Sequence, residues 1–220
     1  MSLRARPYSR IEQLADRILH LAALIAAVIA AALAIALALR RGDATLVASV
    51  SLYGLALITL FAVSGACNYY LADRHSRWAE RLQRLDHAAI FLMVAATYTP
   101  FAASALAPPY GSALLVFAWG VALLGIGAKL LPSRPPGRGF SIALSLLLGW
   151  SIVAVLGPLA AAIPTTALVL LAAGGALYSA GVLLYLWHRL PFHHVAWHSL
   201  VIAAAACHYA AVLTGVVLAP

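Results

Sequence analysis

The sequence predicts an all-α, polytopic membrane protein built as a bundle of seven transmembrane helices. The chain is 65% hydrophobic and only 9% charged, whereas a soluble domain carries roughly 25% charged residues. Charge-free stretches of about 18 or more residues recur along it, each long enough to cross a hydrocarbon core. These stretches are too long for the strands of a membrane barrel and lack their period-two alternation. We therefore expect one transmembrane domain over residues 1–220, with 1–19 as a cytoplasmic N-terminal segment.

Each predicted span ends at a recognisable signal. The first is followed by the charged turn Arg40-Arg41-Gly42-Asp43, and the second by a polar loop at 73–84 with four arginines. Pro108-Pro109 end the third, because proline breaks a helix, and a Pro- and Gly-rich turn follows the fourth. The seven predicted spans are 20–39, 46–70, 86–106, 111–131, 140–161, 164–187 and 194–218.

The basic residues predict the orientation of the bundle. Of the 14 lysines and arginines, all but Arg40 and Arg41 lie in or beside segments on one side of the predicted membrane. Because cytoplasmic loops carry an excess of basic residues, the N-terminus should be cytoplasmic and the C-terminus outside. The protein is therefore expected to be an integral membrane protein that crosses the membrane several times.

Composition also argues against several other classes of protein. The net charge of +8 is explained by short basic loops beside apolar spans, so no nucleic-acid partner is expected. Cys67 and Cys207 lie in or at the edge of spans, and we interpret both as buried thiols without a disulfide. The only lysine, Lys129, lies in the fourth span, so the seventh offers no amine for a retinal Schiff base.

Polar side chains from four predicted helices should meet at one membrane depth. In the predicted topology the second helix ends, and the first, third and seventh begin, at the cytoplasmic side. Ionisable groups are costly in hydrocarbon and usually face the bundle interior, where they pair or act. The residues concerned are His20 at the start of the first helix with Glu12 and Asp16 just before it, Ser64 and Asn68 on the second, Asp86 on the third, and His194 and His198 on the seventh.

The stretch HHVAWH at 193–198 contains the strongest local pattern. His194 and His198 are four residues apart, so they project from one helical face and could share a metal ion. His193 should point elsewhere, towards the membrane interface. His208 lies about 15 Å deeper and should form a hydrogen bond across helices. Alternatively, the two histidines are simply interfacial residues without a ligand. Asp86 has a structural alternative too, because a carboxylate near a helix N-terminus is stabilised by the helix dipole.

Three motifs together resemble the haemolysin-III family, bacterial relatives of the adiponectin and progestin receptors. The segment RLDHAAIFLMVAATYTPF at 84–101 resembles the family's third-helix signature. The pattern His194-x-x-x-His198, with His208 ten residues further on, is similar to its C-terminal signature. Glu12-x-x-Ala15-Asp16-x-x-x-His20 is similar to its opening motif, with Asp16 where asparagine is usual. The resemblance covers essentially the whole chain.

The resemblance implies a zinc site in which a second-helix histidine joins the two histidines of the seventh helix. Here the second-helix motif is Ser64-Gly65-Ala66-Cys67-Asn68, so Asn68 stands where the family has histidine. A neutral amide oxygen is a poor zinc ligand, and loss of one protein ligand should weaken zinc binding. Cys67 is turned by about 100° from that position.

The resemblance also implies a function, hydrolysis of a lipid amide or ester as in the related alkaline ceramidases. In this hypothesis zinc activates water, Asp86 accepts its proton and Ser64 stabilises the oxyanion. Membrane lipids would be the partners and the source of substrate. The alternative is a non-enzymatic membrane factor, cytolytic or regulating membrane state, with a degraded metal site. His194, His198 and Asp86 would then form a polar network that holds helix ends together.

Overall fold

The computed structural model describes residues 9–70, 77–131, 135–187 and 189–219. Within these ranges the chain is almost entirely helical, and no strand is present. Seven of the helices are long and apolar enough to cross a membrane, which confirms the predicted fold class. We number them in chain order as helices 1 to 7: Arg10–Arg41, Ala44–Tyr70, Arg77–Ala105, Tyr110–Leu130, Gly139–Ala162, Thr165–Leu186 and His193–Val217.

Helix 1 begins ten residues before the predicted span. The Ser9 hydroxyl accepts a hydrogen bond from the Glu12 amide at 3.2 Å, and the Ser9 amide donates to Glu12 Oε2 at 2.7 Å. This reciprocal capping box satisfies two backbone donors that a helix start would otherwise leave unpaired. Residues 10–19 of the predicted N-terminal segment are therefore helical, and residues 1–8 lie outside the described ranges.

Helix 3 also begins earlier than predicted, at Arg77 rather than Asp86. The polar residues at 77–85, interpreted from the sequence as a loop, form its first turns, with Ala79 buried and Arg81 exposed. An amphipathic start of this kind has too many charges to resemble a membrane span. Asp86 consequently lies nine residues inside the helix, about 14 Å from its first residue at 1.5 Å per residue.

Small residues allow the helices to approach closely. The buried face of helix 1 is an alanine stripe, formed by Ala23, Ala27, Ala31, Ala34 and Ala38. A Cβ added to Gly54 on helix 2 would lie 2.9 Å from the Ala31 Cβ. Such contacts between small side chains are typical of membrane bundles, where van der Waals packing replaces the hydrophobic effect as the main attraction between helices.

Two glycines make similar contacts elsewhere in the bundle. A Cβ on Gly125 of helix 4 would lie 2.7 Å from the ring of Phe91 on helix 3. A Cβ on Gly174 of helix 6 would overlap the His208 ring of helix 7. In both places a side chain of one helix occupies the space above a glycine of its neighbour.

Helices 1 and 7 are joined at both ends. At one end the Arg41 guanidinium donates to the carbonyl oxygen of Val217 at 3.3 Å and to that of Ala219. At the other end the beginnings of the two helices lie together, because the Phe192 amide donates to Glu12 Oε1 at 2.7 Å. These contacts place the polar beginnings of helices 1 and 7 side by side.

Candidate metal centre

Helix 1 carries three buried ionisable side chains on successive turns. Glu12, Asp16 and His20 are four residues apart, so they share one face, and their exposed fractions are 3%, 1% and 4%. The same face continues as the alanine stripe. The capping box that begins the helix at residue 10 is what gives this polar segment a helical geometry.

The Asp16 carboxylate joins three helices. Its Oδ1 lies 2.7 Å from Nδ1 of His198 on helix 7, which donates to it. Its Oδ2 accepts a hydrogen bond from Nδ2 of Asn68 on helix 2, also at 2.7 Å. A buried carboxylate is costly unless it is hydrogen-bonded, and both oxygens of Asp16 accept hydrogen bonds.

His20 is oriented by its own helix. Its Nδ1 lies 2.7 Å from the Asp16 carbonyl oxygen and donates to it, so Nε2 is the unprotonated nitrogen of the neutral ring. Nε2 lies 3.1 Å from the Ser64 hydroxyl on helix 2, which donates to it. Histidines that bind metals usually have one nitrogen fixed by a carbonyl in this way, while the other nitrogen faces the ion.

Asp16, His20 and His198 form a compact donor set, the candidate metal triad. One ligand atom from each residue lies within 4.8 Å of those of the other two. The His20 and His198 rings are 4.4 Å apart, nearly perpendicular. Two imidazoles and one carboxylate suit a borderline ion such as zinc, and three protein ligands leave a fourth position open. The donor chemistry therefore fits the metal that the resemblance implies, although the set differs from the predicted one.

His194 is placed one turn from the candidate metal triad. Its ring centre is 6.3 Å from that of His198 and 4.1 Å from that of His193. His194 and His198 lie one above the other with their rings stacked, as their spacing predicts, and His198 is the one that contacts Asp16 and His20. Joint metal binding by this pair stays a prediction. From the sequence, His20 was predicted only to be one of several polar residues at this depth. In the structure it is the second histidine of the candidate metal triad, beside His198.

The remaining predicted residues surround the candidate metal triad at different distances. Asn68 presents its amide nitrogen to Asp16, so in this structure it is a hydrogen-bond donor. Ser64 contacts His20. Asp86 is half-buried and lies close enough to interact electrostatically with both His20 and the free thiol Cys67. Hydrogen bonds thus join residues of helices 1, 2 and 7, and Asp86 of helix 3 lies within electrostatic range of them.

His208 lies elsewhere in the bundle. Its Nε2 is 3.4 Å from the Leu171 carbonyl oxygen of helix 6, and its ring is 5.5 Å from that of Tyr178. It therefore contacts the neighbouring helix, as expected from the sequence, and belongs to the packing of helices 6 and 7.

Glu12 has a role that the sequence analysis did not assign. Its two carboxylate oxygens accept hydrogen bonds from the Ser9 amide and the Phe192 amide. Phe192 has a φ of 57°, a left-handed conformation that a bulky residue rarely adopts. The Ser9-x-x-Glu12 spacing could have revealed the capping box. Nothing in the sequence near Phe192 predicts its left-handed conformation or its hydrogen bond to Glu12.

Residues 9–209 match the protein family described as Haemolysin-III related. The Hemolysin-3 homolog of Bacillus subtilis (strain 168) is 32% identical over 92% of this chain and 93% of its own length. Hemolysin-3 of Bacillus cereus is also 32% identical, over 92% of this chain and 90% of its own length. The human Monocyte to macrophage differentiation factor is 29% identical over 73% of this chain and 67% of its own length. The matched family region contains all three residues of the candidate metal triad.

Proposed function

This chain belongs to the Haemolysin-III related family, as its motifs indicated, and on that premise we propose that it is a metal-dependent hydrolase of lipid amides or esters. We further propose that the metal is zinc, that the protein lies in the bacterial plasma membrane and that its N-terminus is cytoplasmic. The supporting observation is the convergence of Asp16, His20 and His198 at the polar end of the bundle.

The proposed ligands are the three residues of the candidate metal triad. When bound there, zinc would polarise a substrate carbonyl and activate water. Asn68 would orient Asp16 through the hydrogen bond to Oδ2, and the Asp16 carbonyl would hold the His20 ring. Asn68 and that carbonyl are thus positioning groups that fix the ligands.

Asp86 and Ser64 are the proposed catalytic residues. Asp86 would accept a proton from the attacking water, while the water oxygen bonds to the acyl carbon. Ser64 would donate a hydrogen bond to the carbonyl oxygen as negative charge develops on it. The C–N or C–O bond then breaks, and the proton held by Asp86 passes to the leaving amine or alcohol. A lipid substrate is favoured because the helices that hold these residues are membrane spans.

A second candidate function is a non-enzymatic membrane factor, cytolytic or regulating membrane state. It is favoured by the mutual satisfaction of the polar groups, since Asn68 and His198 engage both Asp16 oxygens. A network of this kind could simply hold helices 1, 2 and 7 together. The names Hemolysin-3 and Hemolysin-3 homolog, carried by two relatives, point in the same direction.

Zinc analysis of the purified protein separates the two candidates. We expect about one zinc per chain in the wild type, and loss of most of it in His20→Ala and His198→Ala, because each removes a triad ligand. His208→Gln is the matched control, since it changes a histidine of helix 7 outside the triad and should retain zinc. The measurement is metal content by mass spectrometry after detergent purification and dialysis.

His194→Ala decides between the two possible ligand sets. If the candidate metal triad binds the ion, His194→Ala should keep its zinc. Loss of zinc in His194→Ala together with retention in His20→Ala would instead support the histidine pair predicted from the sequence. Absence of zinc from the wild type, with lysis of erythrocyte membranes by the purified protein, would favour the non-enzymatic candidate.

A further inference from the structure

A second polar site lies between helices 3 and 4. A cavity of about 190 Å³ is lined by Gln83, Arg84 and His87 of helix 3, Lys129 of helix 4 and Pro135 of the following loop. Because a water molecule occupies about 30 Å³ of liquid, this volume accommodates a phosphate group with a few waters. We call it the basic cavity. It is formed where helix 3 begins and helix 4 ends.

The basic cavity is positively charged. Arg84 and Lys129 are basic, and none of the five lining residues is acidic. Basic residues that line an open pocket between transmembrane helices are typical binding sites for anionic lipid headgroups. The lining chemistry therefore selects an anion.

Lys129 gives the strongest indication that the basic cavity binds an anion. Its side chain is only 7% exposed, and its partner among the described residues is a single carbonyl, that of Pro136, at 3.2 Å from Nζ. An ammonium group has three N–H donors, and burying its charge is costly without a counter-charge. An anion in the basic cavity would supply that counter-charge.

The surroundings of the basic cavity indicate where the anion comes from. Leu131, two residues after Lys129, is 86% exposed, and Leu85, next to Arg84, is 42% exposed. Exposed leucines beside a basic cavity provide an apolar surface for acyl chains, which a free ion would not need. We propose that the basic cavity binds the phosphate oxyanion of an anionic phospholipid headgroup, with the acyl chains against these leucines.

Lipid titration in detergent tests this proposal. The thermal unfolding midpoint of the full chain is measured at 0.15 M salt as phosphatidylglycerol is added to the micelles. We expect a saturable increase, because a ligand that binds only the folded state stabilises it. Lys129→Met and Arg84→Gln should each weaken the fitted affinity about fivefold, the effect of removing one basic charge from a lipid headgroup site.

Control variants and control ligands test whether the lipid binds at the basic cavity through its phosphate. Arg81→Gln removes a charge three residues before Arg84 but outside the basic cavity, where Arg81 lies against Trp78. It should bind as the wild type does, as should Lys129→Arg, which keeps the charge. Diacylglycerol, which lacks the phosphate, should cause no shift. Equal affinities for the wild type, Lys129→Met and Arg84→Gln would overturn the proposal, and an equal shift with inorganic phosphate would assign the site to the free ion instead.

Discussion

Asp16 determines the chemistry of the candidate metal triad at the scale of single residues. Its side chain is 1% exposed, and its two oxygens accept hydrogen bonds from helices 2 and 7. A neutral amide in its place could not bring a negative charge between two imidazoles. Asp16 and Asn68 therefore act as a pair, since Asn68 donates a hydrogen bond where a second acid would repel Asp16.

The role of Asp86 is testable by an isosteric change. Asp86→Asn should lower turnover of a ceramide-like substrate by roughly 10²- to 10⁴-fold, the usual contribution of a general base. Zinc content should stay at the wild-type level, because Asp86 lies outside the candidate metal triad. The measurement combines product formation by chromatography with metal analysis on the same sample.

Glu80→Gln is the control for this change, because Glu80 is an exposed acid of the same helix. It should leave turnover unchanged. Wild-type turnover in Asp86→Asn would remove Asp86 from the mechanism, and loss of zinc along with turnover would make it a ligand instead.

The sequence identified every member of the candidate metal triad but not their grouping. Asp16, His20 and His198 were all predicted to lie at one membrane depth, because charge and span boundaries determine depth. Which histidine lies opposite Asp16 depends on the position of helix 7 along its axis relative to helix 1, because residues four apart share a face but differ in depth by about 6 Å. The structure places His198 level with Asp16, at 2.7 Å between Nδ1 and Oδ1.

At the scale of helices, hydropathy predicts the spans well and their polar ends poorly. Helices 2, 4 and 6 end within one or two residues of the predicted positions. Helices 1 and 3 begin about ten residues early, because their first turns are amphipathic and charged. These polar first turns carry Glu12 and Asp16 on helix 1 and Arg84 on helix 3, so residues of both candidate sites lie where hydropathy is least informative.

The contact between helices 3 and 4 gives a prediction at this scale. Gly125→Ala should lower the free energy of unfolding by about 1–3 kcal/mol, the usual cost of overpacking, because its Cβ would lie 2.7 Å from the Phe91 ring. Gly120→Ala on the same helix should be neutral or stabilising, since nothing lies within 4 Å of its Cβ. Unfolding in mixed micelles with increasing denaturing detergent measures both variants, and equal stability would contradict the packing argument.

At the scale of the whole molecule, closure of the bundle depends on contacts between its first and last helices. Arg40 and Arg41 are the two basic residues on the side predicted to be outside, where the orientation rule disfavours them. The structure supplies a reason for Arg41, because its guanidinium binds the carbonyl oxygens at the end of helix 7. The guanidinium thus donates hydrogen bonds to carbonyl oxygens that the end of a helix leaves without a backbone donor.

Arg41→Gln should therefore destabilise the bundle more than Arg40→Gln does. We expect a loss of about 1 kcal/mol for Arg41→Gln, the net value of a typical hydrogen bond, and a smaller one for the exposed Arg40. The thermal unfolding midpoint in one detergent compares the two variants at equal net charge. A larger shift for Arg40→Gln would show that Arg41 does not secure helix 7.

The close contact between Gly54 and the alanine stripe also restricts diffusion. Helices 1 and 2 approach so closely at Ala31 that even one added methyl group would overlap. An acyl chain therefore cannot enter sideways at that contact without separating the two helices. A lipid that reaches Asp16 must therefore pass elsewhere than this contact, which lies about three helical turns from His20, the nearest residue of the candidate metal triad.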